Sequence, residues 1–166
     1  MTTTHLAQFT AELAHASTPD AAQKALHKLA DTLVGARLFT VMTVDMETEL
    51  ASRSYTSDPV NYPTSGTKPI ERNAWFTHVH DRHGMFVANT LAEIATVFPD
   101  YTLIGSLGCG AVVNLPVVLD GELVATVNLL DAEHTYTQER QDIIQQHLTL
   151  PAMATVLAVR HLGGKH

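Results

Sequence analysis

The sequence predicts an α+β fold, and three observations lead to this prediction. Segments with helical periodicity lie at both ends of the chain. Two mostly apolar segments flank Asp120-Gly121, a pair typical of a tight turn between antiparallel strands. Between the ends and this hairpin, short pieces alternate with proline and small polar residues, a pattern that more often covers a sheet than builds a core.

Size and composition favour one domain over residues 1–166. The chain has 166 residues, of which 45% are hydrophobic, so a single core of this size should bury about two-thirds of the unfolded surface. We expect N-terminal helices over about 1–35, a sheet with its covering segment over 37–131, and a C-terminal helix over 137–160.

Charge and apolar runs argue against two classes of partner. The net charge is −7, and the ten lysines and arginines form no basic stripe, so we expect no nucleic-acid partner. No eighteen apolar residues run together and the first residues lack a signal-peptide pattern, so we expect no membrane association and a cytoplasmic location. A single cysteine forms neither an internal disulfide nor a cysteine-based zinc site.

Helices are predicted at His5–Ala16 and Ala21–Val34. Thr18 is a suitable N-cap for the second helix, Pro19 suits its first position, and Gly35 ends it. At the other end of the chain, a last helix is predicted from Gln138 to Val159, with a kink at Pro151. The first and last helices carry enough apolar residues to pack against both the sheet and a second copy of the chain, which predicts a homodimer.

Strands and short elements fill the middle of the chain. Arg37–Val44 and Glu49–Thr56 read as a hairpin. Ser57–Glu71 contains three prolines and is predicted to be an ordered lid rather than a central strand or a helix. A short helix at Asn73–His80 and an edge strand at Met85–Ala88 follow. Further short helices begin after Asn89-Thr90 and at Tyr101, and we expect all these pieces to enclose a cavity over the sheet.

The central hairpin pairs Cys109–Leu119 with Glu122–Leu130. Both faces of this hairpin are mostly apolar, so it should be covered on two sides. If the two strands pair residue by residue from the Asp120-Gly121 turn, Asn114 lies opposite Val127. Asn114 and Asn128 are therefore expected on opposite faces, with Asn114 favoured for the cavity because a buried amide needs hydrogen-bond partners.

The chain resembles a GAF domain over nearly its whole length. The residues that carry the resemblance are the small residues that open the central hairpin, both hairpin strands with their turn, and the pair before the last helix, namely Gly108-Cys109-Gly110, Asn114-Leu115-Pro116-Val117, Asp120-Gly121, Val127 to Asp131 and Tyr136-Thr137. The resemblance implies a PAS-like antiparallel sheet of five or six strands, with terminal helices on one face and loops with short helices over a pocket on the other. GAF domains usually sense nucleotides, tetrapyrroles or small metabolites for an attached effector. No effector is expected here, because the terminal helices occupy both ends.

The predicted function is therefore a sensory or regulatory module that binds a small molecule, with no cofactor identified. Ligand sites are mostly apolar with a few placed polar groups. The candidate ligand-binding residues that supply this mixture are Arg53, Tyr55, Tyr62, Trp75, Phe86, Cys109 and Asn114. Structural roles remain open for three of them: Trp75 and Phe86 suit a core, and Arg53 suits a surface ion pair.

Cys109 lies between Gly108 and Gly110, where bare backbone would let a ligand come close. Its plainer interpretation is a small buried side chain. Some stand-alone GAF proteins reduce free methionine sulfoxide with several cysteines, so a catalytic Cys109 is an alternative, although one cysteine departs from that pattern. A dimerisation scaffold without a ligand is a third hypothesis.

Three histidines, His78, His80 and His83, lie within six residues. Residues two apart on a helix point to different sides, whereas metal ligands on one helix are typically four apart. We therefore predict a solvated polar turn and no metal site.

Overall fold

A six-stranded antiparallel sheet lies between a layer of helices and a covering layer of short elements. The structure is a computed structural model that describes residues 2–164, so Met1, Lys165 and His166 of the predicted domain lie outside the described residues. The sheet order is β3-β2-β1-β6-β5-β4. The strands are β1 (Leu38–Asp45), β2 (Leu50–Thr56), β3 (Thr67–Pro69), β4 (Phe86–Ala88), β5 (Ala111–Leu119) and β6 (Glu122–Asp131). The predicted α+β class and strand number are confirmed.

The helical elements divide between the two layers. In chain order they are α1 (Thr2–His15), α2 (Pro19–Leu33), α3 (Ala74–Phe76), a π-helical turn (Thr77–Asp81), α4 (Leu91–Ala95), α5 (Tyr101–Ser106), α6 (Gln138–His147) and α7 (Thr149–Gly163). The terminal helices α1, α2, α6 and α7 pack on one sheet face, where Phe9, Leu26 and Leu148 join Phe39 and Val113 in one core. Within residues 2–164, no helix combines the length and apolarity needed to cross a membrane.

The last helix differs from its prediction in where it breaks. The chain leaves the helix at Leu148, three residues before Pro151, and resumes as α7. Pro151 has no N–H to donate to the preceding turn, but it is tolerated in the first turn of a helix, where that N–H has no partner. A restart before the proline therefore replaces the expected kink at the proline.

The central hairpin contains a bulge that the sequence did not reveal. Asp120 and Gly121 both have positive φ, as a two-residue hairpin turn requires. The register shifts between Val117 and Val118, because Val118 pairs with Leu123 but Val117 pairs with Ala125. Strand β6 therefore has one additional residue at this point. Asn114 therefore pairs with Asn128, and the expectation that these two amides lie on opposite faces is wrong.

A second bulge lies in β2. Val41 pairs with Tyr55, whereas Met42 pairs with Arg53, which leaves Ser54 as the additional residue. Strict alternation would have kept Arg53 and Tyr55 on one face. Because of the bulge, Tyr55 joins the core under the helices while Arg53 faces the covering layer.

The covering layer is formed by residues 57–110 apart from β3 and β4, which belong to the sheet. The predicted lid ends in the short edge strand β3, and the predicted helix at 73–80 is α3 followed by the π-helical turn. Apolar residues of this layer pack with the neighbouring sheet face in a second buried cluster, which consists of Leu38, Tyr62, Ala88, Ile94, Ile104, Cys109, Val112 and Leu130.

Candidate functional site

A cavity of about 300 Å³ lies between the sheet and the covering layer. Its floor is formed by β1, β5 and β6, its roof by α3 and residues 97–100, and one side by β2 and β3. This volume is at the small end of the range for ligand sites in proteins. We call this space the cavity below.

Three polar side chains cross the floor in one row, and we call Thr40, Asn128 and Asn114 the polar row. They are cross-strand neighbours on β1, β6 and β5. Asn114 Nδ2 donates to Asn128 Oδ1 at 2.7 Å, and Asn128 Nδ2 donates to Thr40 Oγ1 at 3.1 Å. Each of the three is at most 7% exposed, so these bonds offset much of the cost of burying polar atoms in a sheet.

Trp75 joins the roof to the polar row. Its indole Nε1 donates to Asn114 Oδ1 at 2.9 Å. Asn73 caps α3 by accepting from the Phe76 N–H at 3.0 Å, which fixes the short helix that carries the indole. The indole also packs edge-to-face on Phe98, with ring centroids 6.1 Å apart. The cavity therefore has an aromatic roof bonded directly to a polar floor.

Arg53 and Tyr62 form one side of the cavity. The guanidinium carbon lies 4.9 Å from the centre of the Tyr62 ring, and Arg53 Nη1 donates to the Pro63 carbonyl at 2.9 Å. The Tyr62 hydroxyl donates to Asp100 Oδ2 at 2.8 Å, which ties the lid to the loop before α5. Burial lowers the pKa of Arg53 and raises the pKa of Tyr62, and the bond to Asp100 raises the latter further.

Of the seven predicted ligand residues, Arg53, Tyr62, Trp75 and Asn114 line the cavity. Tyr55 does not, because the β2 bulge turns it to the opposite face of the sheet. There its hydroxyl bonds to His27 Nδ1 at 3.0 Å, and burial raises its pKa. Its assignment to the cavity is corrected.

Phe86 supports the cavity wall from outside the lining. It pairs with Asn114 on the edge strand β4, and its ring packs edge-to-face on Phe98 at 6.2 Å. The core interpretation therefore describes Phe86 better than direct contact with a ligand.

Cys109 is buried in the second cluster and also lies outside the cavity lining. Burial raises the pKa of its thiol, nearby Arg37 lowers it in part, and Asp131 raises it again. A Cβ on Gly108 would collide with the Arg37 guanidinium, which donates to the Gly108 carbonyl at 3.0 Å, and a Cβ on Gly110 would collide with Glu133. The glycines make room for these two side chains, which corrects the expectation that they make room for a ligand.

Several residues of the site were not predicted from the sequence. Thr40, Thr126 and Asn128 line the floor, and Asp100 and Phe98 line the roof. Polar residues in otherwise apolar strands were the available signal for the floor. Without the bulge in the central hairpin, however, that signal assigned Asn128 to the wrong face.

The histidine-rich turn is partly engaged in local bonds. His78 Nε2 bonds to the Met85 carbonyl at 3.0 Å, and His80 Nδ1 bonds to Asp81 Oδ1 at 2.8 Å while its ring stacks on Phe76. In the part of the chain that the structure describes, no three metal-binding side chains come together.

Comparison with known proteins identifies the architecture. No protein-family model matches the sequence, and no curated protein matches it significantly. Among solved structures, the chain is similar to the GAF domain of a phosphoenolpyruvate-protein phosphotransferase from Coxiella burnetii, with a TM-score of 0.71, 16% identity, and coverage of 99% of this chain and 95% of that chain.

Two further structures connect this architecture with different functions. The GAF domain of a two-component sensor histidine kinase from Bacillus halodurans gives a TM-score of 0.67 at 13% identity, over 86% of this chain and 95% of that chain. Free methionine-R-sulfoxide reductase from Neisseria meningitidis, in complex with its substrate, gives a TM-score of 0.63 at 13% identity, over 94% of this chain and 88% of that chain. The protein therefore has the fold of a GAF domain.

Proposed function

We propose that this chain is a sensory domain that binds a small molecule in the cavity. The observation that carries the proposal is the combination of the aromatic roof and the polar row around about 300 Å³ of space. Small-molecule sites typically combine apolar walls with a few fixed polar groups. The similarity to a GAF domain of a sensor histidine kinase supports the same class of function.

The polar row is suited to orient a ligand. Each amide nitrogen carries two N–H groups, and Asn114 and Asn128 each use one of them in the bonds described for residues 2–164. The row is held by cross-strand pairing and by Trp75, so it is ordered before a ligand arrives. A rigid, prearranged donor set lowers the entropy cost of binding.

Catalysis by Cys109 is less well supported than binding. A reactive cysteine needs access and a lowered pKa, whereas Cys109 is 4% exposed and burial raises its pKa. The similarity to free methionine-R-sulfoxide reductase therefore extends to the fold but does not favour the same chemistry at this thiol.

We also propose that α7 contributes to a homodimer. Leu150 and Leu157 are 70% and 52% exposed, and residues seven apart lie on the same side of a helix. Leu157→Glu should convert a dimer to a monomer in sedimentation velocity, while the exposed Gln145→Glu on α6 should not. A monomeric native protein at micromolar concentration would contradict this part of the proposal.

Ligand binding is tested with a pair of matched variants on β2. Ala51 lines the cavity, and the next residue, Ser52, points to the other face of the strand. A metabolite library is screened by thermal shift, and each hit is confirmed by calorimetry. We expect hits for the native protein and for Ser52→Phe, and none for Ala51→Phe, whose ring occupies the cavity. Absence of hits with the native protein, or equal binding by both variants, would overturn the proposal.

A further inference from the structure

We infer that the ligand of the cavity carries an anionic group, a carboxylate in the first instance, and that Arg53 binds it. This inference rests on the proposed function and adds the chemical class of the ligand. It is carried by the position of the guanidinium in the cavity wall and by how few partners the protein itself gives that group.

The guanidinium of Arg53 has unused donors. It carries five N–H groups, and within residues 2–164 it makes one hydrogen bond, from Nη1 to the Pro63 carbonyl. Its Nε is buried without a hydrogen-bond partner in that same part of the chain. The two Nη groups keep three further N–H donors, so an acceptor in the cavity that bonds to them would offset part of the cost of burying the guanidinium.

Arg53 also lacks a carboxylate partner of the kind that Arg37 and Arg72 have. Arg37 lies 3.7 Å from Asp131, and Arg72 contacts Glu49. Among the ion pairs of the described residues, none involves Arg53. Burial lowers the pKa of Arg53, and Tyr62 and then Asp100 raise it in part, but the Asp100 carboxylate accepts the Tyr62 hydroxyl instead of pairing with the guanidinium.

A second cation borders the same side of the cavity. Lys68 on β3 pairs with Ala51 of β2, two residues from Arg53, and both cations line the cavity. The acidic side chains in the lining are Asp100, which is engaged by Tyr62, and Glu71, which is exposed in the same way as Lys68. An anionic ligand group would therefore meet two cations from neighbouring strands, and a guanidinium binds a carboxylate in a two-pronged geometry.

The other residues that line the cavity indicate the chemistry of the remainder of the ligand. The rings of Trp75, Phe76 and Phe98 form the roof, and aliphatic side chains such as Leu123 and Leu130 complete the lining. A compact apolar body, with an acid at one end, matches this distribution better than a sugar or a highly charged nucleotide. The predicted class is thus a small aromatic or aliphatic carboxylic acid.

The test compares acids with their neutral isosteres. The probes are benzoate, phenylacetate, 3-phenylpropionate and hexanoate, each beside its primary amide, at pH 7.5. Binding is measured by calorimetry and by the fluorescence of Trp75, the one tryptophan of the chain. The variants are Arg53→Gln, which removes the charge, and Arg53→Lys, which keeps it. Arg140→Gln is the control, because Arg140 also donates Nη1 to a backbone carbonyl, that of Thr135 at 3.0 Å, but lies outside the cavity.

We expect at least one acid to bind the native protein about tenfold more tightly than its amide, the scale of one charge-assisted hydrogen bond. Arg53→Gln should abolish this preference, Arg53→Lys should keep part of it, and Arg140→Gln should keep all of it. If acids and amides bind equally, the inference fails while small-molecule binding stands. If no probe binds, this ligand class is rejected, and the library screen decides the proposed function separately. If Arg53→Gln does not fold, the acid-to-amide ratio of the native protein and of Arg53→Lys gives the same decision.

Discussion

Asn114 and Asn128 are cross-strand neighbours whose amides bond at 2.7 Å on the cavity side of the sheet. This pair is the middle of a chain of hydrogen bonds from Trp75 in the roof to Thr40 on β1. The same bonds stabilise the sheet and orient the polar surface of the cavity. The stability of the sheet and the proposed ligand site therefore depend on the same two residues.

Removing the central amide of this row should destabilise the protein. In Asn128→Ala, the Asn114 N–H and the Thr40 hydroxyl each lose a buried partner, so we expect the free energy of unfolding to fall by about 1 to 3 kcal/mol. The measurement is urea denaturation followed by circular dichroism. Thr126→Val is the control, because Thr126 is equally buried but makes no side-chain hydrogen bond within the described residues. Equal losses in both variants would contradict the role of the polar row.

Acidification should destabilise the protein through His27. The His27 ring stacks on Phe39 and bonds to the Tyr55 hydroxyl. Burial lowers the pKa of His27, Asp31 raises it in part, and Lys24 lowers it further. The unfolded chain binds the proton at a higher pH, near the ordinary histidine pKa of about 6.5. This contribution to stability is therefore complete above that pH and is lost as the pH falls through the lower folded value.

The readout is the melting temperature between pH 7.5 and pH 5. Replacing His27 by Phe should flatten the decline in this range, whereas replacing the exposed His15 by Gln should leave it unchanged. A native protein whose stability is constant over this range would rule out the proposed linkage.

Cys109 should react slowly in the folded protein. Its thiol is buried and its pKa is raised, so the thiolate that attacks disulfide reagents is both scarce and shielded. We expect labelling by Ellman's reagent to be slow in buffer and fast in urea, and Cys109→Ala to bind ligands as the native protein does. Complete labelling within seconds in the folded state would restore the enzymatic alternative.

Gly108 is predicted to be required for packing rather than for a ligand. Its φ is +78°, and a Cβ would also strike the Arg37 guanidinium. Gly121 has a φ of +72° with open space around it, so Gly121→Ala measures the backbone strain alone, about 1 to 2 kcal/mol. Gly108→Ala should cost more than that in chemical denaturation. Equal costs would mean that Arg37 moves aside freely.

Much of the fold was predictable from local patterns. Helix capping by Thr18 located α2, and its Oγ accepts the Ala21 N–H at 3.1 Å as expected. Asp120-Gly121 located the central hairpin, because few other residue pairs accept two positive φ angles. These signals lie within a few residues of the structure that they specify.

The errors come from features that depend on the whole sheet. One additional residue in β2 moved Tyr55 away from the cavity, and one in β6 moved Asn128 into it. A bulge reverses the faces of all residues beyond it, yet it leaves no clear local signature in either strand. The role of the glycines beside Cys109 was also mispredicted. The side chains that they accommodate, Arg37 and Glu133, lie far from them in the sequence and approach them only in the folded sheet.

Native mass spectrometry measures directly whether the cavity holds a small molecule, as proposed. The native protein and Ala51→Phe are each incubated with a small-molecule extract, desalted, and measured under native and then denaturing conditions. Our expectation is a mass excess on the native protein that is lost on denaturation and is absent from Ala51→Phe. An excess that survives denaturation, an equal excess on both proteins, or no excess on the native protein would contradict it.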